Sequence, residues 1–177
     1  IVITVIFDFN RENTNTLNVN KEINKFNLLT HEGNNFTYKS FSNFPSLFFF
    51  GFLNCPDICP ITVERISRII EELSGDSDKL RYFFVTVDPD RDTPNKLKDY
   101  LEVFSDKILG ITGNKDDVHS FLKHMYVYFK KVPINEEFFT FDHSSQIFLF
   151  DRHGNFYGTI SLDEKDKVAL DKVKSML

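Results

Sequence analysis

Between Ser46 and Leu53 the chain is apolar on both alternating faces, Ser46-Leu47-Phe48-Phe49-Phe50-Gly51-Phe52-Leu53, which marks a central β-strand covered on both sides. Shortly afterwards the period lengthens. Val63, Ile66, Ile69, Ile70 and Leu73 recur at helical spacing and Ser74-Gly75 supplies a stop, so a helix is expected from about Pro60 to Leu73. Leu80 to Val87 reads as a second buried strand, and Thr93-Pro94 starts a helix, with Thr as N-cap and Pro in the first turn, that ends near Phe104. Lys107 to Thr112 is a short strand. Asn114 then caps a helix whose apolar stripe is Val118, Phe121, Leu122, Met125 and Phe129.

The two ends of the pattern differ from this βα alternation. Phe26 to Thr30 and Asn35 to Tyr38 flank His31-Glu32-Gly33-Asn34, whose Gly and Asn tolerate the positive φ of a tight turn, so an N-terminal β-hairpin is expected. Lys130 to Asp142 contains Pro133 and lacks sustained periodicity; it is expected to be a long loop that delivers His143. Ser145 to Phe150 and Phe156 to Ser161, joined through Asp151-Arg152-His153-Gly154-Asn155, form a second hairpin, and a last helix from about Asp163 to Met176 buries Ala169, Leu170, Val173 and Leu177. Alternating strands and helices followed by a β-β-α unit predict an α/β protein with a mixed sheet and helices on both faces. A strand, a two-cysteine loop opening a helix and a terminal β-β-α unit suggest a thioredoxin-like fold, with the extra N-terminal hairpin and the insertion before His143 as additions. Residues 1–22 are expected to be an arm or linker, polar and Asn-rich from Asn10 onward, and residues 23–177 one compact domain.

Composition narrows the function classes. The 177 residues are 41% hydrophobic and 27% charged, enough to bury one core. The net charge of −5, with no concentration of Lys and Arg, argues against a nucleic-acid partner, because phosphate contacts need clustered cations. Ile1 to Phe7 is apolar but far shorter than the ~20 residues that span a bilayer; it fits a strand or the stub of an anchor. The absence of an initiator Met suggests a processed or truncated product. Two cysteines are too few for a disulfide scaffold.

Those two cysteines, in Cys55-Pro56-Asp57-Ile58-Cys59-Pro60, hold the most chemistry. With Pro60 in the first helical turn, Cys59 is expected at the N-cap and Cys55 in the loop before it, where the helix dipole favours thiolate. The spacing, one residue wider than the common redox pair, leaves room for an ion, and Cu(I) suits soft thiolates at low coordination number; a redox pair and inert buried thiols remain open. An imidazole would complete a copper site. Of five histidines, His31 and His153 fall in turns and His119 and His124 are expected to be solvated helix residues, whereas His143 stands at the mouth of a strand and can be aimed at a neighbouring site or merely open that strand. Asp88, Arg91 and Asp92, in Asp88-Pro89-Asp90-Arg91-Asp92-Thr93, follow the second central strand at the sheet edge where the cysteines are expected. They can tune the site or contact a partner; equally, Arg91 can neutralise the carboxylates while Asp92 and Thr93 serve a helix cap.

Taken together, the segments Phe50 to Pro60, Val87 to Pro94, Leu109 to Gly113 and Asp142-His143-Ser144 resemble the SCO/SenC family, copper chaperones for the CuA centre of cytochrome c oxidase, over about Phe26 to Leu177. Asn54 and Met125 depart from residues frequent in that family. The resemblance implies copper, as Cu(I) or Cu(II), held by Cys55, Cys59 and His143, a thioredoxin-like fold, and delivery to oxidase subunit II, with an upstream copper donor protein. It also implies an N-terminal transmembrane anchor lying outside this chain, and a location on the mitochondrial inner membrane facing the intermembrane space, or facing a bacterial periplasm. Such a protein is a metallochaperone more than an enzyme, although it can also act on the thiols of subunit II. Two other readings compete: a thiol-disulfide oxidoreductase or peroxide reductase using Cys55 and Cys59 alone, and a redox or copper sensor that signals through a partner.

Overall fold

The computed structural model describes residues 21–177; the strand or anchor stub expected at Ile1–Phe7 lies outside them, as does most of the expected arm. Lys21–Lys25 forms a 3-10 turn that inserts Ile23, fully buried, into the core. Strands β1 (Leu28–Thr30) and β2 (Asn35–Phe36) make the N-terminal hairpin, with Gly33 at φ +85° in its turn. Strand β3 (Ser46–Gly51) is buried along its whole length, and it leads through the cysteine loop into helix α1 (Ile58–Leu73). Then follow β4 (Arg81–Thr86), α2 (Pro94–Leu101), β5 (Ile108–Gly113) and α3 (Lys115–His124). The chain finishes with β6 (Phe129–Pro133), β7 (Phe139–His143), β8 (Ile147–Phe150), β9 (Phe156–Ile160) and α4 (Asp166–Lys174).

The main sheet has the order β2-β1-β5-β4-β3-β8-β9. β3, β4 and β5 are parallel, and β8 and β1 join them antiparallel on either side. Alternation along β3 and β4 sends aromatic rings to both faces: Phe49 meets Phe84, which meets Tyr100 of α2, while Phe48 and Phe83 meet Phe36 and Phe41. On β5, Gly110 faces Leu97 and Leu101 of α2, whereas Gly113, on the other face by strand parity, lies against Val118 of α3. Helices therefore cover both faces, as the alternating pattern predicts. The N-terminal hairpin extends the sheet at its β5 edge and the β8–β9 hairpin extends it at the other.

Four expectations need correction. The segment before His143 is a two-stranded hairpin, β6–β7, instead of a long loop, with Phe129 paired to His143 and Pro133 to Phe139. Its strands are only half covered, so no sustained apolar run marks them; the local signal is the alternation Phe139, Phe141, His143. Phe129 consequently belongs to β6 and not to the α3 stripe, because the helix stops at His124 and Tyr126 turns the chain at φ +53°. α1 starts two residues earlier than expected, with Asp57 as N-cap, which puts Cys59 inside the first turn. Pro60 permits this because every N–H of a first helical turn lacks an intrahelical partner anyway. Finally, α4 is shorter than expected and Leu177 is exposed.

Candidate metal centre

Three elements converge at the carboxyl end of β3. The cysteine loop brings Cys55, half-buried, close to the first turn of α1, where its Sγ accepts a hydrogen bond from the Cys59 N–H at 3.5 Å. Cys59 is fully buried and turned back toward the sheet. It fits there because residue 51 is glycine: a Cβ at Gly51 would stand 2.9 Å from Cys59 Sγ, 3.0 Å from Phe49 and 3.2 Å from Phe84. The third element is β7, which ends in His143, whose Nε2 lies 3.6 Å from Cys59 Sγ. One donor atom from each of Cys55, Cys59 and His143 lies within 4.8 Å of the other two, and no other such group of three occurs among the described residues.

The imidazole is held in one tautomer. His143 Nδ1 is 2.9 Å from the Ser144 carbonyl; a carbonyl only accepts, so Nδ1 carries the proton and Nε2 presents its lone pair to the cysteines. The rings of Phe49 and Phe52 pack against the imidazole at 6.3 and 5.7 Å. Burial in this aromatic pocket holds the His143 pKa below the ordinary imidazole value, against the opposing effects of Ser144 and Asp142. Burial likewise pushes the Cys59 thiol well up, only partly offset by the Phe52 backbone. This corrects the expectation that the helix dipole would favour a thiolate at Cys59: desolvation outweighs it. The donor set is therefore neutral imidazole and at least one reluctant thiol. Such a site ionises fully when a cation enters and supplies the missing positive charge.

The aspartate-rich segment braces this arrangement from below. Asp92 is buried, and its Oδ2 accepts from the Leu53 N–H at 3.1 Å and from Thr86 Oγ1 at 2.6 Å, tying the cysteine loop to the end of β4. Its carboxylate thus does not cap α2, and neither does the Thr93 side chain, although Thr93 holds the N-cap position. Burial raises the Asp92 pKa to about 6, against the lowering effect of the Thr86 and Leu53 hydrogen bonds. Asp88, also buried, forms an ion pair with Arg91, and its N–H donates to Thr86 Oγ1 at 2.9 Å. Sequence reasoning singled out Asp88, Arg91 and Asp92 but not Thr86, the hydroxyl that links them, nor Phe139 and Phe141 on the histidine strand.

The remaining histidines lie elsewhere. His31 sits in the β1–β2 turn, where its Nδ1 accepts from the Gly110 N–H at 3.0 Å, and His153 sits in the β8–β9 turn. His119 and His124 are half-buried instead of solvated; His119 packs on Phe129 with ring centroids 4.7 Å apart, and His124 packs on Phe26 at 5.7 Å. None of the four joins the cysteines.

A thioredoxin-like domain whose first long helix begins at two free thiols, with an imidazole folded over them, defines a thiol protein built to hold one soft metal ion. The SCO1/SenC family model matches residues 14–177, and the chain belongs to that family. The mitochondrial protein SCO2 of Saccharomyces cerevisiae is 36% identical over 156 residues, which covers 86% of this chain and 52% of the yeast protein. This chain thus spans about half the length of that relative. Among solved structures, Bradyrhizobium japonicum ScoI with copper bound superposes with a TM-score of 0.80 at 36% identity, covering 86% of this chain and 97% of that one. Yeast Sco1 with copper bound gives 0.77 at 36% identity, covering 85% and 84%.

Proposed function

We propose that this protein binds copper through Cys55, Cys59 and His143 and passes it to the CuA site of cytochrome c oxidase subunit II. The observation that carries the reading is the convergence of two free thiols and a lone-pair nitrogen within 4.8 Å, in a chain 36% identical to relatives solved with copper bound. Two thiolates and one imidazole suit Cu(I) by softness. Binding expels the thiol protons, so uptake is coupled to proton release and to reduction of both cysteines. The unequal burial of the two sulfurs gives direction to transfer. Cys59 is enclosed, whereas Cys55 is partly open, so an acceptor thiolate enters on the Cys55 side and the ion passes by exchange of ligands, with Cys59 and His143 the last to let go.

On this reading the protein is a metallochaperone more than an enzyme, receiving copper from an upstream donor protein. The reading places it on the mitochondrial inner membrane facing the intermembrane space, or facing the periplasm in a bacterium, held by an anchor outside the described residues. No helix among the described residues is long and apolar enough to cross a membrane. The test is transfer: Cu(I)-loaded protein mixed anaerobically with the reduced, copper-free soluble domain of subunit II should lose its metal as the acceptor gains it. Copper that stays on the chain, under conditions where the acceptor takes up free Cu(I), contradicts delivery.

One observation favours a second activity on the same cysteines. Both thiols are free, and Cys55 Sγ receives the Cys59 N–H at the start of α1, with the two sulfurs within 4.8 Å of each other and so placed for exchange with a partner disulfide. If reduction of subunit II is the principal role, exchange with a dithiol should persist in His143→Ala, and copper should inhibit it.

A further inference from the structure

The β6–β7 hairpin that ends in His143 shares no hydrogen-bonded ladder with the seven-stranded sheet. Side chains must therefore fix its position over the cysteines. Phe52 reaches it from the cysteine loop, packing on Phe141 at 5.6 Å and on His143 itself. Arg91 reaches it from the segment after β4. The guanidinium lies 3.9 Å over the centre of the Phe139 ring, and Nη1 points to the Phe139 carbonyl at 3.5 Å. Nε is ion-paired with Asp88, whose side chain is only 3% exposed. Asp88 is in turn fixed to the end of β4 by its N–H bond to Thr86 Oγ1, the hydroxyl that also donates to Asp92.

We propose that Arg91 is a positioning residue for His143: anchored on Asp88 and stacked on Phe139, it holds strand β7 at the distance from the cysteine loop that the three-donor site requires. The inference rests on the reading of His143 as a ligand. An arginine suits this position because its planar fork stacks on a ring with one side and pairs with a carboxylate through its edge, which a lysine ammonium cannot do. Phe139 and His143 occupy one face of the same strand, so a shift at Phe139 carries through to the imidazole. The second cation near this ring, Lys131 at 3.5 Å, comes from β6 itself and does not tie the hairpin to the body.

Two variants cut the link from opposite ends. Arg91→Lys keeps a cation beside Asp88 and loses the stack; Phe139→Leu keeps the Asp88–Arg91 pair and loses the ring. In the metal-free, reduced protein each should speed hydrogen exchange of the β6–β7 amides by about fivefold, with the amides of β3 and β4 unchanged. Each should weaken Cu(I) affinity by a comparable factor, measured by competition with a chromophoric chelator. The double variant should be no worse than the weaker single variant, since both remove the same contact. Unchanged hairpin exchange in both variants, losses that simply add, or uniformly faster exchange across the domain would each overturn the proposal. Because exchange is read without metal, a wild-type protein that takes up no Cu(I) defeats the copper reading while leaving the role of Arg91 separately decided.

Discussion

Cys59 Sγ and His143 Nε2 lie 3.6 Å apart although 84 residues of chain separate them. That contact exists because three independent features meet: a glycine at the end of β3 that makes room for the sulfur, a helix that begins early enough to turn Cys59 inward, and a hairpin that carries the imidazole over it. Without the hairpin the thiols remain four residues apart with no third donor.

Gly51 is the most economical place to test the first feature. In Gly51→Ala the new methyl would contact Cys59 Sγ, Phe49 and Phe84 at once, and two of these neighbours are ring atoms in a filled core. Chemical denaturation should show a loss of about 1–3 kcal/mol, the usual cost of overpacking. Cu(I) competition should show weaker binding as the sulfur is displaced. Retention of both wild-type stability and affinity would mean that Cys59 does not need the present close approach.

Asp92 gives the site a pH signature in stability. Its folded pKa is raised to about 6 from 3.8, so the folded state holds the proton more tightly than the unfolded state. Well below pH 3.8 the carboxyl is neutral in both states and carries no penalty; as pH rises through 3.8 the unfolded state releases its proton while the folded state keeps it, so stability falls until the folded carboxyl has ionised above about 6. Asp92→Asn removes this dependence while an amide oxygen still accepts from Leu53 and Thr86. The difference in unfolding free energy, wild type minus variant, should therefore decrease between pH 4 and 7 by up to about 2–3 kcal/mol. A difference that is flat or rises over that window would contradict the assignment.

Arg65 separates stability from the site. Its side chain is 7% exposed; Nη1 donates to the Ser161 carbonyl at 2.8 Å, Nη2 donates to the Glu164 carbonyl, and Nε is 3.0 Å from Asp166, so this one residue fastens the turn before α4 to α1. Arg65→Met leaves those carbonyls without a buried donor and should cost about 2–4 kcal/mol in a denaturant melt. Cu(I) affinity of the folded variant should stay within about twofold of wild type, since none of these partners belongs to the copper site or its braces. A large affinity loss at unchanged stability would reverse that assignment.

Much of this was legible in the chain. The six buried positions of β3, the helical period from Val63 to Leu73 and the Thr93-Pro94 start each rest on local rules, and each element formed as those rules require. The cysteines and His143 were also legible as residues, because soft donors at a strand-to-helix junction are uncommon and three motifs occur in one order. What could not be read was long-range. Cys59 is expected from the sequence to be activated by the helix dipole, but the sulfur is fully buried against Gly51 of β3, and that depends on how the chain packs beyond the cysteine loop. The β6–β7 hairpin escaped for a related reason. Its apolar alternation covers only Phe139, Phe141 and His143, and its packing partners Phe49, Phe52, Arg91 and His119 are ones no local pattern connects to it. Asp92 looked like a helix cap because it precedes Thr93-Pro94; its actual partner, the Leu53 N–H, lies 39 residues earlier.

The most direct measurement is an anaerobic Cu(I) titration of the fully reduced protein against a competing chelator, run beside His143→Ala and beside protein oxidised to a Cys55–Cys59 disulfide. Three converging donors predict saturation at a single equivalent for wild type, an affinity about tenfold or more weaker for His143→Ala, and no uptake by the disulfide form until a dithiol restores it. Wild-type affinity in His143→Ala, or copper uptake that ignores the state of the two cysteines, would show that Cys55, Cys59 and His143 do not form the site.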